Sequence, residues 1–497
     1  MIDKEYLKAR RNEPWREELR KSMKNKERAA IPRVKMPELD AEYRSHSYDE
    51  VNLGLSPEQA LTEAKRCLDC PDPSCMSGCP VEINIPEFIK NIERNELPEA
   101  AKVLKETSAL PAVCGRVCPQ EKQCESQCIH LKMKNEAVAI GYLERFAADF
   151  ERESGSISVP ECAPANGIKI AVVGSGPAGL SFAGDMAKFG YDVTVYEALH
   201  EIGGVLKYGI PEFRLPNNIV DVEIDILQKT GVKFIKNRIV GKTISHEDLR
   251  EEGYQGIFVA SGAGLPNFMN IPGENLSGVL SSNEYLTRVN LMGANRKEAD
   301  TPVFSGKKAA IIGGGNTAMD SVRTARRLGA EKAMIVYRRS EEEMPARVEE
   351  VKHAKEEGII FLNLHNPIEY IGDEKGRVKQ MVLQKMELGE PDASGRRKPV
   401  EIPGATETID VDMVVVAIGV SPNPLVPSEF KGLNVSKWGT IIVHQDTLQT
   451  DLPDVYAGGD IVRGGATVIL AMGDGRKAAA AMHEALKNTM SLNKGTE

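Results

Sequence analysis

The spacing of apolar residues predicts that the first third of the chain is mainly α-helical. A segment beginning with a Ser cap and a first-turn proline, Ser56–Pro57, has apolar residues three and four apart. The same helical spacing occurs over 85–107 and 135–153. The residues before about 55 are polar, with scattered prolines, and predict an extended arm with short helices. We therefore expect a helical domain over residues 1–155.

The rest of the chain alternates short β-branched strands with helices, which is typical of an α/β fold with parallel sheets. A Ser-, Pro- and Gly-rich stretch at 154–167 predicts the linker into this part. A strand at 169–173 is followed by a glycine motif and a helix, and the same order returns from residue 308. This repetition predicts two Rossmann-like units.

The C-terminal segment has one strand, a glycine turn and an Ala-rich helix, so it lacks a core of its own and should complete the first unit. We therefore predict two domains of the glutathione-reductase type, one inserted in the other. The first is split between 168–295 and 430–497, and the second covers 296–429.

Charge and hydropathy exclude two classes of function. The 63 basic and 72 acidic residues give a net charge of −9, which offers no electrostatic footprint for nucleic acid or an anionic membrane. The longest apolar run, near 413–420, is far shorter than a membrane-spanning helix, and the charged N-terminus lacks the apolar core of a signal peptide. We expect a cytoplasmic protein, and a homo-oligomer is compatible with the sequence.

The first glycine motif, GSGPAG at 174–179, lies between a strand and a helix, where it can hold a dinucleotide diphosphate. Glu197 follows the next strand, about 20 residues further on, where its carboxylate can accept from ribose hydroxyls and would repel a 2′-phosphate. This combination predicts FAD or NAD rather than NADP. The candidate contacts of the motif are Gly174, Gly176, Pro177, Ala178 and Gly179.

The second glycine motif has the opposite charge at the corresponding position. Gly313, Gly315, Asn316, Thr317 and Ala318 are its candidate contacts. Arg338 and Arg339 follow the next strand and can bind a 2′-phosphate through charge-assisted hydrogen bonds. The sequence thus predicts NADPH in the second unit and FAD in the first, although YRRSEEE could also be a solvated loop.

Near the C-terminus, Gly459 and Asp460 belong to a glycine turn that permits close approach to a flavin, with Asp460 accepting from ribityl hydroxyls. Disulfide-type flavin reductases would carry a CxxC motif beside the flavin, and here no cysteine follows Cys162. Dithiol chemistry is therefore not expected, and the electrons must leave by another route.

Eight of the nine cysteines lie between Cys67 and Cys128. Disulfides do not suit a cytosolic chain of this size, and the single C-x2-C motif with one nearby histidine, His130, disfavours zinc. Irregular spacing with Cys-Pro pairs resembles the ferredoxin type of motif, so we favour two iron–sulfur clusters, with zinc or free thiols as alternatives. A flavin between NADPH and such clusters would convert hydride transfer into single-electron transfer, with no general base or nucleophile from the protein.

These motifs, in order from RCLDCPDPSCMSGCPVEINIPEFI through GYLERFAAD, GIPEFRLP and YRRSEEEMPA to GGD, resemble the small (beta) subunit of bacterial NADPH-dependent glutamate synthase. Similar modules occur in the NADPH-binding subunit of the bifurcating ferredoxin:NADP transhydrogenase and in the N-terminal half of dihydropyrimidine dehydrogenase. The resemblance extends over residues 40 to 490.

The resemblance implies two [4Fe-4S] clusters. It implies that one cluster is held by Cys67, Cys70, Cys75 and Cys128. It implies that the other is held by Cys79, Cys118, Cys124 and Glu144, with Cys114 as a spare thiol. It also implies that Gly203 and Gly204 lie near the flavin diphosphate and 209–216 by the flavin, although 209–216 could be a structural loop.

The resemblance further implies an electron-input subunit that oxidises NADPH and reduces a partner. The expected partner is the large FMN-containing glutamate synthase subunit, which makes glutamate from glutamine and 2-oxoglutarate. An alternative is the NADPH-binding subunit of an electron-bifurcating NADH-dependent ferredoxin:NADP oxidoreductase. A third hypothesis, from another class, is a non-catalytic scaffold in which clusters are only structural.

Overall fold

The computed structural model of the chain describes residues 4–494. Its N-terminal part is helical, as the apolar spacing predicts. The helices are α1 (Lys4–Arg11), α2 (Pro14–Ser22), α3 (Asn25–Ala30), α4 (Ala41–Arg44), α5 (Pro57–Lys65), α6 (Ser74–Ser77), α7 (Ile85–Glu93), α8 (Leu97–Thr107), α9 (Pro111–Val117), α10 (Ile129–Lys132) and α11 (Ile140–Ser154). The Ser56 hydroxyl accepts from the Gln59 amide and so caps α5, which stabilises the helix start. Residues 156–168 form neither helix nor strand and connect this domain to the sheets.

The polar arm before residue 55 is fastened to the helical domain by buried arginines. Arg16 pairs with Asp69, and Arg28 pairs with Glu93 at 2.8 Å. Both guanidinium groups are almost fully buried. A hydropathy pattern does not reveal this packing, because a buried arginine is stable only when a carboxylate pairs with it, and these two carboxylates lie far along the chain.

Strands and helices alternate through the rest of the chain. The strands are β1 (Lys169–Val173), β2 (Asp192–Tyr196), β3 (Lys233–Ile235), β4 (Tyr254–Val259), β5 (Ala263–Pro266), β6 (Val279–Ser281), β7 (Lys308–Ile312), β8 (Lys332–Tyr337), β9 (Ile360–Asn363), β10 (His365–Gly372), β11 (Val378–Pro391), β12 (Arg397–Asp410), β13 (Met413–Val416), β14 (Val420–Pro422) and β15 (Val455–Ala457). The helices are α12 (Pro177–Lys188), α13 (Val205–Tyr208), α14 (Asn217–Lys229), α15 (His246–Glu251), α16 (Ser282–Leu286), α17 (Asn316–Arg327), α18 (Val348–Glu356), α19 (Leu425–Glu429), α20 (Asp460–Arg463) and α21 (Val468–Lys494).

Two parallel five-stranded sheets share one plan. The first has the order β15-β4-β1-β2-β3 and the second β6-β13-β7-β8-β9. In both, the strand before the glycine motif is central and the next strand in sequence lies beside it. An antiparallel sheet, β10-β11-β12, and the β5-β14 pair complete the molecule.

The C-terminal segment returns to the first sheet. Strand β15 pairs in parallel with β4, and α21 packs along α12. The crossovers between the two units fall earlier than the predicted residues 296 and 430. Strand β6 already belongs to the second sheet, and Phe430 is buried in the core of the first unit together with Val426 of α19. A three-residue strand such as β6 is too short to give a periodic signal in the sequence.

Candidate nucleotide and metal sites

The first glycine motif makes the turn from β1 into α12. Gly174 has φ +100°, and a side-chain carbon there would overlap the carbonyl oxygen of Ala260. A side-chain carbon on Gly179 would overlap the carbonyl oxygen of Gly174. Gly176 is the N-cap of α12, and no described side chain caps the first amides of the helix. These amides are therefore open to an anionic group.

Two distant glycine turns converge on the start of α12. Gly204 has φ +55°, and a side-chain carbon there would lie 2.9 Å from Cα of Gly176. Gly459 has φ +77°, and its side-chain carbon would lie 3.0 Å from Cβ of Ala178. The structure thus brings together the three glycine segments at which the sequence predicts the flavin nucleotide, and each approaches as closely as a glycine allows.

Glu197 lies at the carboxyl end of β2, buried behind the glycine turn. Its Oε2 accepts hydrogen bonds from the Ser175 amide at 3.0 Å and from the Ser175 hydroxyl at 2.5 Å. Ser175 Oγ in turn accepts from the Gly203 amide at 2.9 Å. Ser175 therefore connects the predicted ribose carboxylate to the second glycine turn. The sequence does not reveal this role, because the second position of GxGxxG has no required residue type.

Asp460 begins α20 directly after Gly459. Burial raises the pKa of its carboxyl to about 6. The carboxylate of Asp474, on α21, accepts from the Gly459 amide at 3.0 Å and pairs with Arg463. Asp474 holds the C-terminal glycine turn in place, and nothing in its local sequence distinguishes it from any other helical aspartate.

The second glycine motif repeats the same turn from β7 into α17. Gly313 has φ +139°, and a side-chain carbon there would overlap the carbonyl oxygen of Ala417. Gly315 is the N-cap of α17, while Asn316 and Thr317 in its first turn remain partly or fully exposed and Ala318 is buried. Asn316 Oδ1 accepts from the Arg347 amide, which fixes the start of α18 beside this turn.

The two predicted phosphate-binding arginines have different surroundings. Arg338 is exposed at the end of β8. Arg339 is buried, and its guanidinium donates to the Arg397 carbonyl and to Asp392, both at 2.8 Å. The structure therefore leaves Arg338 accessible to a nucleotide, whereas Arg339 anchors the hairpin between β11 and β12. The sequence did not predict this difference, because the hairpin lies over 50 residues away.

The loop 209–216, which the resemblance places by the flavin, also joins the two units. Arg214 Nη1 donates to both carboxylate oxygens of Asp320 of α17 at 2.7 Å, and Arg214 Nε lies 3.0 Å from the carboxylate of Glu350 of α18. The Phe213 ring packs under the guanidinium of Arg327 at 3.9 Å. The ion pairs offset the cost of burying Arg214 and its two carboxylate partners. This loop is therefore a well-packed contact between the two units.

The first cysteine group surrounds a single cavity. Cys67, Cys70, Cys75 and Cys128 line it together with apolar residues that include Ile85, Ile89 and Ile140. Cys67 and Cys128 are buried, whereas Cys70 and Cys75 are partly exposed. Four thiols around one apolar cavity fit a [4Fe-4S] cluster. Burial raises the pKa of Cys67 to about 11, so this thiol would remain protonated until it binds a metal.

The four cysteines of the second group are all buried. Cys79, Cys114, Cys118 and Cys124 lie close to one another and to Glu144 of α11. The pKa of Cys79 is raised to about 12, first by burial and further by the neighbouring Glu144 carboxylate and Cys118. The segments 79, 114–124 and 144 are far apart in sequence, and the fold brings them to one place.

Glu144 has the environment of an unsatisfied ligand. Its side chain is 5% exposed, and its Oε1 atom has no hydrogen-bond partner among the described residues. Burial raises its pKa to about 8, with a smaller contribution from Glu223. A buried carboxylate oxygen without a partner is unfavourable unless a cation or donor faces it, so the residues present fit a cluster iron at this point.

Comparison with known proteins gives two family matches. A model described as dihydropyrimidine dehydrogenase domain II, 4Fe-4S cluster, matches residues 44–156. A model described as pyridine nucleotide-disulphide oxidoreductase matches residues 168–485. The boundary between them falls in the linker after α11. No helix within residues 4–494 has both the length and the apolar character that a membrane crossing requires.

Individual relatives agree with these matches. The small chain of NADPH glutamate synthase from Azospirillum brasilense is 36% identical, over 88% of this chain and 92% of its own length. The beta subunit of the NADP(+)-dependent formate dehydrogenase from Moorella thermoacetica is 38% identical, over 83% of this chain and 60% of its own length. Among solved structures, FprA from Mycobacterium tuberculosis in complex with NADPH has a TM-score of 0.55 at 22% identity, covering 66% of this chain and 86% of its own.

At 22% identity the FprA likeness concerns the fold alone. The Azospirillum relative matches over most of both chains. The chain therefore belongs to the pyridine nucleotide-disulphide oxidoreductase family and, within it, to the small chains of NADPH-dependent glutamate synthase, as an NADPH-dependent iron–sulfur flavoprotein oxidoreductase.

Proposed function

We propose that this protein is the electron-input subunit of a glutamate synthase. NADPH binds at the start of α17 and gives a hydride to FAD bound at the start of α12. The electrons then leave singly through two [4Fe-4S] clusters to a large FMN-containing partner that makes glutamate from glutamine and 2-oxoglutarate. The observation that carries the proposal is the presence, in one chain, of two dinucleotide units with opposite charges after the second strand and two separate cysteine groups.

The chemistry balances without a catalytic side chain. When bound, NADPH would supply two electrons and one proton as a hydride, and the flavin would pass the two electrons to the clusters and the one proton to solvent. The protein contributes binding and orientation. Gly174, Gly176, Gly204 and Gly459 shape the flavin site, and Glu197 is assigned to the ribose.

The proposed ligand sets follow the two groups of cysteines, with Cys114 left out of the second set as the resemblance implies. Cys67, Cys70, Cys75 and Cys128 would hold one cluster. Cys79, Cys118 and Cys124 with Glu144 would hold the other. Because Cys70 and Cys75 are partly exposed while the second group is buried, we propose that the first cluster passes electrons to the partner.

A second candidate keeps the same redox chain with another partner. The Moorella subunit is slightly more similar in sequence than the Azospirillum chain, and related input modules thus occur in other complexes. An electron-bifurcating NADH-dependent ferredoxin:NADP oxidoreductase is therefore the alternative. The share of the relative that is covered, 92% against 60%, favours the glutamate synthase assignment. A cytoplasmic location is part of both proposals.

Anaerobic mixing with NADPH tests the redox chain. We expect the flavin absorbance to bleach first and the broad cluster absorbance to fall afterwards, with iron, acid-labile sulfide and FAD present in the purified protein. Zinc without labile sulfide, or a flavin that NADPH does not reduce, would refute the proposal. Co-purification then identifies the partner: a large amidotransferase-type chain supports glutamate synthase, and a small flavin and [2Fe-2S] chain supports the alternative.

A further inference from the structure

The first two turns of α21 lie between the two cofactor regions and contact both. On one side, Ala471 approaches Gly459, and Asp474 accepts from the Gly459 amide. Gly475 packs so tightly on α12 that a side-chain carbon would overlap the carbonyl oxygen of Ala178. Residues 471, 474 and 475 lie three and four apart, so one face of the helix is pressed against the flavin-side turns.

The other face of the same turns meets the second cysteine group. Met472 is fully buried, and its Sδ lies 3.5 Å from Sγ of Cys114. Gly473 lies against Pro80, which follows Cys79, and a side-chain carbon on Gly473 would lie 2.8 Å from the Pro80 carbonyl oxygen. Just before the helix, Thr467 Oγ1 accepts from the side-chain Nε2 of Gln123, the neighbour of Cys124, at 3.5 Å.

We propose that the 467–475 segment is the bridge through which electrons pass from FAD to the buried second cluster, with Met472 and Gly473 as positioning residues. The inference rests on the proposed function. Two successive transfers would each oxidise the reduced flavin by one electron and reduce the cluster by one, and the single proton that came with the hydride would go to solvent over the two transfers. Gly473 lets the helix lie against Pro80, and Met472 fills the remaining space beside Cys114 with a polarisable sulfur.

The proposal accounts for glycine at 473 and methionine at 472 in a helix that is otherwise rich in alanine. Glycine in a helix is unfavourable by about 1 kcal/mol relative to alanine, so Gly473 needs a compensating reason. Close approach to the Cys79 loop supplies that reason. An ordinary packing role would require only that the space beside Cys114 be filled, and a leucine would fill it as well as Met472.

Two variants test the bridge. Gly473→Ala should push α21 from Pro80 by a few tenths of an ångström, and Met472→Leu should keep the volume while removing the sulfur. After anaerobic mixing with NADPH, we expect flavin reduction at the wild-type rate in both. Cluster reduction should be several-fold slower in Gly473→Ala and slower to a lesser degree in Met472→Leu. Met482→Leu, the same change further along α21, is the matched control and should leave both phases unchanged.

Further measurements separate the route from cluster damage. The iron, sulfide and FAD content of both variants should stay at wild-type levels. A redox titration monitored by electron paramagnetic resonance should show an altered signal for one cluster only. Wild-type cluster reduction in both variants, with full cofactor content, would overturn the proposal. If Gly473→Ala loses its cluster, Met472→Leu alone decides, and wild-type kinetics there refute the bridge. Failure of the wild-type protein to reduce its clusters would instead refute the proposed function.

Discussion

The two nucleotide-binding units have the same strand order and the same glycine turn, but they differ just after the second strand. In the first unit a buried carboxylate, Glu197, lies there and is tied to the glycine turn through Ser175. In the second unit the exposed residue Arg338 occupies this place. The side chain of the next residue, Arg339, is buried against the hairpin between β11 and β12. Under the proposed function, the shared turn binds the diphosphate of each nucleotide, and the residue after the second strand selects which nucleotide binds.

Replacing the first glycine of each turn by alanine should give the largest effects. It should also show that the two units bind different nucleotides. Gly174→Ala introduces both a strained φ and an overlap with Ala260, so we expect protein that retains little FAD. Gly313→Ala should keep its FAD and lose reduction by NADPH. The FAD-to-protein ratio and the rate of flavin bleaching measure the two outcomes.

Gly329→Ala is the control for this pair, because Gly329 also has positive φ, +96°, but has open space around it. It should lower stability modestly and affect neither nucleotide. Loss of FAD in Gly313→Ala would contradict the separation of the two sites.

Glu197→Gln tests the carboxylate in the first unit. A hydrogen bond to a charged group contributes about 1.5–3 kcal/mol, so we expect FAD affinity to fall by about tenfold or more. Titration of the FAD-free protein with FAD measures the change. Glu201→Gln, at a partly exposed position nearby, should leave the affinity within error, and an equal loss there would show that Glu197 has no special role.

Arg338→Ala tests the guanidinium in the second unit. Loss of a charge-assisted hydrogen bond to the 2′-phosphate should reduce the preference for NADPH over NADH by about tenfold. Arg339→Ala should change the preference much less, because its guanidinium is engaged by Asp392 and the Arg397 carbonyl. Flavin reduction with each nucleotide gives the ratio. An equal loss of NADPH preference in both variants would show that both arginines bind the 2′-phosphate, as the sequence predicts.

The smallest expected effect concerns the arm, which contacts the second unit through Glu38. His353 lowers the pKa of Glu38 to about 2, with a further contribution from Lys352 of the same helix. A carboxyl with a lowered folded-state pKa stabilises the fold above its unfolded pKa, near 4.5, and loses this contribution as the pH falls towards 2.

Glu38→Gln should therefore lower the free energy of unfolding near pH 7 by up to about 1 kcal/mol, as expected for a partly exposed pair. Thermal unfolding from pH 7 to pH 3 measures this, and the variant and wild-type curves should approach each other in acid. A difference that is constant with pH would exclude ionisation of Glu38 as the cause. Glu42→Gln, on an exposed residue of the same arm, is the control.

The sequence predicts those parts of the site that depend on local chain geometry. The glycine turns at 174–179 and 313–318 require a strand, a turn and a helix in immediate succession, and the structure has all three in both places. The cysteine spacing likewise indicates a metal site, but the partition into two groups depends on the folding together of distant helices.

The contacts that the sequence does not predict are made with residues far away in the chain. Arg339 is defined by a hairpin over 50 residues later, and Ser175 by a glycine turn that approaches from residue 203. Arg16 and Arg28 appear as solvated arm residues in the sequence, and they are buried because Asp69 and Glu93 meet them. Pairwise electrostatic contacts of this kind leave no periodic signal in the sequence.

The return of the C-terminal segment to the first sheet has a consequence for synthesis of the protein. A nascent chain that has not reached β15 and α21 lacks the edge strand beside β4 and the wall beside Cys114. Both cysteine groups leave the ribosome hundreds of residues before that wall exists. The second group therefore lacks its contacts with Met472 and Gly473 until translation of the chain is nearly finished.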